Sequence, residues 1–209
     1  MQPFTILTAI AVPLPIAKID TGMILPGRYM RRHRRLGHDY SDAFLHDVRF
    51  DEQERPRPEC PLNDPAYRGA EILLTDADFG CGSSREGAAY AVMDYGLRAM
   101  IGPSFAEIFY GNCLQNGILP VVLDEAIVHA LWKSVQAHPG STVTIDLPNQ
   151  TVIDPHGGRH GFEINPLRKE RLVKGLDDID VTLGYREKIA AVEAARRQAY
   201  PWLPVTSQA

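Results

Sequence analysis

Short apolar runs alternate with amphipathic segments through the middle of the chain. Three of the runs are typical of buried strands: residues 70–75, 98–101 and 118–123. The segments that follow them place apolar residues at helical spacing and predict helices: residues 84–95, 104–116 and 125–137. The order strand, helix, strand, helix, strand is typical of parallel crossovers. We therefore predict an α/β fold with a parallel βαβαβ unit and a ligand site at the carboxyl end of its first strand.

The segments on either side of this unit predict mixed strands and a long loop. Residues 4–12 are typical of a strand, and residues 142–147 with 151–153 predict a hairpin around Pro148-Asn149-Gln150. Residues 51–69 are rich in proline and charge, which favours a loop.

The C-terminal part, residues 166–209, predicts a mainly helical extension. Ile189, Val192 and Ala195 form an apolar strip there. Packing of this strip on the chain's own core is the favoured interpretation, because amphipathic terminal helices usually do so. An interface with a partner protein is the alternative, and Trp202 is then a further candidate contact.

Length and charge set the broad class. A chain of 209 residues is long enough for a substantial core, and we treat residues 1–209 as a single domain. The formal net charge of −4 argues against general attraction to nucleic acid or to membranes. No run of about 18 apolar residues is present, and the N-terminus does not resemble a signal peptide. We expect a cytoplasmic protein with no nucleic-acid or membrane partner.

Potential metal ligands are scattered. The three cysteines, Cys60, Cys81 and Cys113, form no Cys-x-x-Cys pair, and an odd number of them suits a reducing compartment. The seven histidines include no pair at metal-binding helical spacing, and we expect most of them in surface or loop positions. We therefore expect this chain to bind no metal or iron–sulfur cluster by itself.

The segment Gly80-Cys81-Gly82-Ser83-Ser84-Arg85-Glu86 combines a flexible turn, two hydroxyls and a cation. Ser83 and Glu86 have the spacing of a capping box, which predicts a helix that begins near Ser84; Ser104 and Glu107 form a second such pair. Backbone N–H groups at a helix start, together with an arginine, suit a carboxylate. The equally weighted alternative is that Ser83 only caps the helix and that Arg85 pairs with a surface acid.

Nucleotide-binding motifs do not fit the same segment. A Walker loop ends in Gly-Lys-Ser/Thr, and a dinucleotide fingerprint requires a third glycine where this chain has Arg85.

A second candidate is the basic segment that contains five arginines within residues 28–35. Such a segment is typical of a nucleic-acid patch, a solvated loop or an anion-binding loop. The acidic balance of the chain makes the nucleic-acid interpretation the weakest of the three.

Motifs along nearly the whole chain resemble one known family. They are Asp20-Thr21, Ile24-Leu25-Pro26, the run 63–69, the run 79–86, Asp94-Tyr95-Gly96, the run 103–110, Asn112-Cys113, the run 116–120, the run 175–179 and Thr182-Leu183. Together they resemble the small subunit of 3-isopropylmalate dehydratase, which is the swivel domain of the aconitase superfamily made as a separate chain. The resemblance implies a swivelling β/β/α domain with mixed strands beside the crossover unit.

The resemblance also implies a hydro-lyase of leucine biosynthesis. The reaction converts 2-isopropylmalate to 3-isopropylmalate by loss and re-addition of water, and it requires a heteromer with a large subunit. That large subunit is expected to hold a [4Fe–4S] cluster by three cysteines, and this chain is expected to bind none. The substrate is a small hydroxy acid.

The family assigns roles to residues at matching positions. Ser83 matches the serine whose alkoxide removes the proton beside a carboxylate. Ser84 and Arg85, with the backbone at Gly82, are expected to bind a substrate carboxylate.

The loop that follows Pro26 is expected to help select the substrate's side chain. Met30 is then expected to face an apolar group, and Arg31 or Arg32 to bind the distal carboxylate.

Two positions depart from the family pattern. Asp-Thr-Asp is Asp20-Thr21-Gly22 here, and Arg-Glu-His-Ala-Pro is Arg85-Glu86-Gly87-Ala88-Ala89. A carboxylate and a histidine are therefore missing near the catalytic turn. These changes leave open a paralogue that acts on another malate-like or citrate-like acid, or a non-catalytic partner of the large subunit. Isopropylmalate is the favoured substrate, and the non-catalytic role is the least favoured because Ser83, Ser84 and Arg85 are present.

Overall fold

The computed structural model describes residues 1–31, 39–83 and 85–203. Within these ranges, seven strands form one mixed sheet in the order β4-β3-β2-β1-β5-β6-β7. The strands are β1 (Ile6–Leu14), β2 (Ile72–Thr75), β3 (Ala99–Gly102), β4 (Leu119–Val122), β5 (Thr142–Asp146), β6 (Thr151–Ile153) and β7 (Arg159–Gly161).

The predicted βαβαβ unit is confirmed. Strands β2, β3 and β4 are parallel and are joined by α3 (Gly87–Asp94) and α4 (Glu107–Gln115). Helix α5 (Glu125–Ala137) follows with the predicted bounds and packs across β1, β2 and β3. All four residues of β2 are buried, as expected of a parallel strand covered on both faces.

Strand β1 lies at the centre of the sheet. It runs parallel to β2, with Ala11 opposite Ile72, and antiparallel to β5, with Ala9 opposite Val143. The predicted hairpin of β5 and β6 is also confirmed and continues into β7. The sequence predicted a strand near the N-terminus but gave no indication that it joins the parallel and antiparallel halves.

A long connection leads from β1 to β2. It contains α1 (Thr21–Ile24), α2 (His46–Arg49) and a 3₁₀ turn at Gly27–Tyr29. The predicted loop 51–69 contains two further 3₁₀ turns, and each begins with a proline, Pro61 or Pro65. Proline suits the first position of such turns because its φ angle is already fixed near the helical value.

The described residues of the C-terminal extension are mainly helical, as predicted. The chain divides into two compact units, Met1–Gly175 and Leu176–Ala209. The first ends with α6 (Pro166–Lys174), and the described part of the second contains α7 (Asp178–Leu183) and α8 (Arg186–Ala199). The single-domain description of residues 1–209 stays a prediction, as does the surface that the apolar strip of α8 covers. None of the described helices has the length and apolar character needed to cross a membrane.

Candidate functional site

The turn that follows β2 lies at the carboxyl edge of the parallel strands. The Gly80 N–H donates to the Ile19 carbonyl at 2.7 Å, and the Thr21 N–H donates to the Cys81 carbonyl at 2.9 Å. The start of α1 and the residues just before it are therefore attached to the turn by backbone hydrogen bonds. Parallel sheets usually bind ligands at this edge, so the position agrees with the predicted site.

Two glycines give the turn its shape. Gly80 and Gly82 have φ angles of +80° and +94°, which side-chain-bearing residues rarely adopt. A Cβ atom on Gly80 would also lie 2.2 Å from Cγ of Phe109. The turn therefore requires glycine at position 80 both for its backbone conformation and for the close approach of α4.

Ser83 presents its side chain at the exposed end of this turn. Its Oγ lies 3.3 Å from Oγ1 of Thr21, and the Thr21 hydroxyl also donates to the Ser83 carbonyl at 3.1 Å. Thr21 is only 2% exposed. The sequence placed Thr21 within a family motif, but only the structure shows that it contacts Ser83.

The predicted capping box at Ser83 is wrong. Helix α3 begins at Gly87, and its N-cap residue, Glu86, makes no side-chain capping hydrogen bond. The Glu86 carboxylate instead accepts a hydrogen bond from Asn116 at 3.2 Å, and the Ser83 carbonyl accepts from the Arg85 N–H at 2.9 Å. The chain thus turns once more before the helix starts. As a consequence, the Ser83 hydroxyl is not used to cap α3.

The second predicted capping box is also wrong, for a similar reason. Helix α4 begins at Glu107 without a side-chain cap. The Ser104 hydroxyl accepts from the Asp78 N–H at 2.8 Å and donates to the Asp78 carboxylate at 2.9 Å. Ser83 and Ser104 thus each lie several residues before the following helix. Each contacts a neighbouring segment of the chain instead of capping that helix.

Arg85 does not pair with a surface acid in the contacts that the structure gives it. One guanidinium nitrogen, Nη1, donates to the Met30 sulfur at 3.6 Å. Both side chains are exposed, Met30 by 40%. Two predicted substrate-binding residues from separate parts of the chain therefore converge beside the turn.

Arg28 is held by α2 and is not free for substrate. Its Nη1 donates to Oδ2 of Asp47 at 2.9 Å, and its Nη2 pairs with Oδ1. This hydrogen bonding lowers the pKa of Asp47 to about 2 and raises the pKa of Arg28. Of the five arginines in the basic segment, Arg28 therefore has a structural partner.

Arg31 follows the 3₁₀ turn and has an exposed side chain. Arg32 and Ser84 lie outside the described residues. Their predicted roles in substrate binding stay predictions, as does that of Arg31.

Among the histidines that the structure describes, His46 is an exception because it is only 7% exposed. Its Nε2 lies 2.9 Å from Oε2 of Glu54, and its Nδ1 lies 3.1 Å from Nη2 of Arg28. The ring also packs against Tyr29 and Phe50. No local pattern identified this residue, because its contacts come from three separate turns of the connection between β1 and β2.

The structure places one close side-chain atom beside each of the two departures from the family pattern. A Cβ on Gly87 would lie 3.1 Å from Cδ2 of Leu25, which is 2% exposed. A Cβ on Gly22 would lie 3.1 Å from Oδ1 of Asp20, and that carboxylate caps α1 by accepting from the Met23 N–H at 2.8 Å. At each glycine a Cβ would thus meet one side-chain atom at closer than ordinary van der Waals distance.

The cysteines do not form a cluster site. Cys60 and Cys113 are buried, and burial raises the pKa of both thiols. Cys81 is half-buried, and its sulfur lies 3.5 Å from the Lys18 carbonyl. In residues 1–31, 39–83 and 85–203, no group of three or more His, Cys, Asp or Glu side chains is placed to hold a metal ion. The side chains present here do not fit an iron–sulfur cluster held by this chain alone.

Family models match most of the sequence. Residues 1–126 match the aconitase C-terminal domain, and residues 129–166 match a model described as LeuD_N. Residues 178–206 match the C-terminal domain of the 3-isopropylmalate dehydratase small subunit.

Curated relatives extend the similarity over nearly the full length. The chain is 47% identical to the 3-isopropylmalate dehydratase small subunit of Phenylobacterium zucineum over 204 residues, which cover 97% of this chain and 98% of that one. It is 43% identical to the small subunit of Paramagnetospirillum magneticum over 203 residues, which cover 97% and 100% of the two chains.

A solved structure shares the fold. The crystal structure of 3-isopropylmalate dehydratase (LeuD) from Methanocaldococcus jannaschii superposes with a TM-score of 0.64 at 24% sequence identity. The match covers 90% of this chain and 99% of the other. It therefore supports the swivel-type α/β architecture predicted from the sequence.

Proposed function

The chain belongs to the family of 3-isopropylmalate dehydratase small subunits, and from this premise we propose that it interconverts 2-isopropylmalate and 3-isopropylmalate together with a large subunit. The observation that carries the proposal is the 43–47% identity to curated small subunits over nearly the whole chain. The reaction is a dehydration followed by rehydration, so the complex is a hydro-lyase of leucine biosynthesis.

Ser83 is the proposed base that removes the proton beside a substrate carboxylate. A serine hydroxyl is a weak base and a weak acid at neutral pH, so this role requires hydrogen-bond donors and positive charge near the oxygen. The exposed position of Ser83, its freedom from helix capping and the nearby Thr21 hydroxyl support the assignment.

Arg85 is the proposed partner of a substrate carboxylate, with the backbone at Gly82 and the hydroxyl of Ser84. An exposed guanidinium whose contact is a thioether sulfur is well suited to exchange that contact for a carboxylate, because charge-assisted hydrogen bonds are roughly twice as strong as neutral ones. Met30 then lies where it can contact an apolar substituent of the substrate. Arg31 or Arg32 is the proposed ligand of the distal carboxylate.

The proposed partner supplies the metal chemistry. A [4Fe–4S] cluster on the large subunit acts as a Lewis acid for the substrate hydroxyl when it is bound there. The proposed roles of this chain are proton removal by Ser83 and carboxylate binding by Arg85. A cytoplasmic location is proposed because Cys60, Cys81 and Cys113 are all free thiols, which suits a reducing compartment.

A related hydroxy acid is the second candidate substrate. The observation in its favour is the absence of a carboxylate at Gly22, which removes one negative charge near the turn. At Gly87 a Cβ would lie 3.1 Å from Cδ2 of Leu25, so the contact with Leu25 favours a small residue there independently of the substrate.

The proposal is tested by mixing the chain anaerobically with its cluster-loaded large subunit and following the absorbance of the unsaturated acid. We expect turnover of 3-isopropylmalate in preference to methylmalate, dimethylmalate and citrate. Replacement Ser83→Ala is expected to lower kcat by about 10²–10⁴-fold, because it removes the proposed base. Ser134→Ala is the matched control, since that hydroxyl lies on α5 and contacts His156.

Complex formation is measured in parallel by size-exclusion chromatography. Full activity of Ser83→Ala in an intact complex would contradict the role of Ser83. Preference for another acid would make the chain part of a paralogous dehydratase, and complex formation without any turnover would favour a non-catalytic partner.

A further inference from the structure

Thr21 contacts the catalytic turn through both its backbone and its side chain. Its N–H donates to the Cys81 carbonyl at 2.9 Å, and its hydroxyl lies within hydrogen-bond distance of two Ser83 oxygens, the carbonyl at 3.1 Å and Oγ at 3.3 Å. The residue is 2% exposed, so water has little access to this hydroxyl.

The Thr21 hydroxyl can donate a hydrogen bond to only one acceptor at a time. A threonine hydroxyl has one proton to donate and two lone pairs that accept. While it donates to the Ser83 carbonyl, the Ser83 hydroxyl is free to donate to it. If Ser83 Oγ becomes negatively charged, it is a stronger acceptor for the Thr21 proton at 3.3 Å than the carbonyl is, because hydrogen bonds to charged groups are stronger.

We propose that Thr21 is a positioning residue for Ser83, which fixes the direction of its hydroxyl and donates a hydrogen bond to its oxygen when that oxygen is ionised. This inference rests on the proposed function, because Thr21 acts only through Ser83. The low exposure of Thr21 strengthens the interaction, since a hydrogen bond shielded from water is electrostatically stronger.

The hydroxyl of Thr21 can be removed while the backbone hydrogen bond from Thr21 to Cys81 is kept. Replacement Thr21→Val keeps the branched shape and the N–H bond to Cys81, and it removes only the hydroxyl. Thr75→Val is the matched control, because Thr75 is also fully buried at the sheet edge and its hydroxyl has no hydrogen-bond partner among the described residues. Thr21→Ser tests rescue, because it restores the hydroxyl on a smaller side chain.

The experiment measures kcat, KM and the pH dependence of kcat for each variant in complex with the large subunit. We expect Thr21→Val to lower kcat by about 10- to 100-fold with KM within about twofold, as for loss of a donor to a developing charge. The rise of kcat with pH should move to higher pH, because the ionised oxygen is less stabilised. Thr21→Ser should keep at least about a third of the activity, and Thr75→Val should match the unmodified chain.

Wild-type kcat and pH dependence in Thr21→Val would overturn the inference, and inactive Ser83→Ala in the same series would leave the proposed function standing. Fully active Ser83→Ala would overturn both. If Thr21→Val does not assemble with the large subunit, the comparison of Thr21→Ala with Thr21→Ser provides the same test, since these two variants differ only in the hydroxyl.

Discussion

At Gly80, two independent constraints act on one residue. The backbone lies in the left-handed region, and the ring of Phe109 occupies the space that a side chain would need. Phe109 is 2% exposed and belongs to the core, so it cannot move aside without loss of packing. The conformation of the turn before Ser83 is therefore tied to the packing of α4.

Replacement Gly80→Ala is expected to destabilise the fold by about 3 kcal/mol or more, because it combines backbone strain with overpacking. Gly69→Ala is the control, since Gly69 also has a positive φ, of +77°, but a Cβ there meets no atom within 4 Å. It should cost about 1 kcal/mol. Urea denaturation followed by circular dichroism measures both, and equal losses would show that the Phe109 contact contributes nothing.

Among the elements, the 3₁₀ turn Gly27–Tyr29 matters because it precedes Met30, which contacts Arg85. An ion pair between Arg28 and Asp47 connects this turn to α2. An anion-binding loop was one of three interpretations that the sequence left open here, and the sequence could not separate the arginine that attaches the loop to α2 from those proposed to bind substrate. Arg28 pairs with the carboxylate of Asp47, 19 positions further along the chain. The residues around Arg28 do not indicate this pairing.

The Arg28–Asp47 pair gives a testable dependence of stability on pH. The pKa of Asp47 is about 2 in the folded chain and 3.8 ordinarily, so the unfolded chain binds more protons between these values. The contribution of Asp47 is present above about pH 4 and is lost as the pH falls towards 2. The Asp47 side chain is 58% exposed, so solvent screening limits the effect to about 1 kcal/mol or less.

Asp47→Asn should therefore lower the free energy of unfolding at about pH 6 and have a smaller effect near about pH 2.5. Urea denaturation at the two pH values measures the gap in the free energy of unfolding between the variant and the unmodified chain. Glu52→Gln, which alters an exposed carboxylate in the same connection, should show a smaller gap at the higher pH. A gap for Asp47→Asn that does not shrink with falling pH would contradict the pairing.

At the scale of the whole molecule, β1 unites the sheet. Its N-terminal residues pair with β5 and its C-terminal residues pair with β2, so one strand belongs to both the antiparallel and the parallel half. The core is continuous across this strand: Leu74 on β2 and Ile145 on β5 are both fully buried in one hydrophobic cluster. We therefore expect the unit Met1–Gly175 to unfold cooperatively.

Leu74→Ala and Ile145→Ala should each lower the stability of this unit by about 3 kcal/mol, because each leaves a cavity in the same core. Trp132 fluorescence, measured in a Trp202→Phe background, and circular dichroism should report the same shifted transition for both variants. Ile6→Ala is the control, since Ile6 lies on β1 with its side chain 62% exposed. Two separate transitions in either core variant would show that the halves of the sheet unfold independently.

The sequence by itself determined the elements and the family. Strands β2, β3 and β4 with the helices between them follow from apolar runs and helical spacing, which are local properties of the chain. The motifs around Ser83 and Arg85 identified the turn that we propose to be catalytic for the same reason, because a turn and its glycines are specified within a few residues.

Only the tertiary structure decided the relations between distant residues. It placed β1 between the two halves of the sheet, brought Thr21 to Ser83 across 62 positions and assigned Arg28 to Asp47. It also showed that α3 begins at Gly87 and not near Ser84, and that Ser83 contacts Thr21 instead of capping the helix. Helix capping and ion pairing depend on which groups lie close enough in space to compete for each hydrogen bond. The spacing of residues along the chain does not show which groups these are.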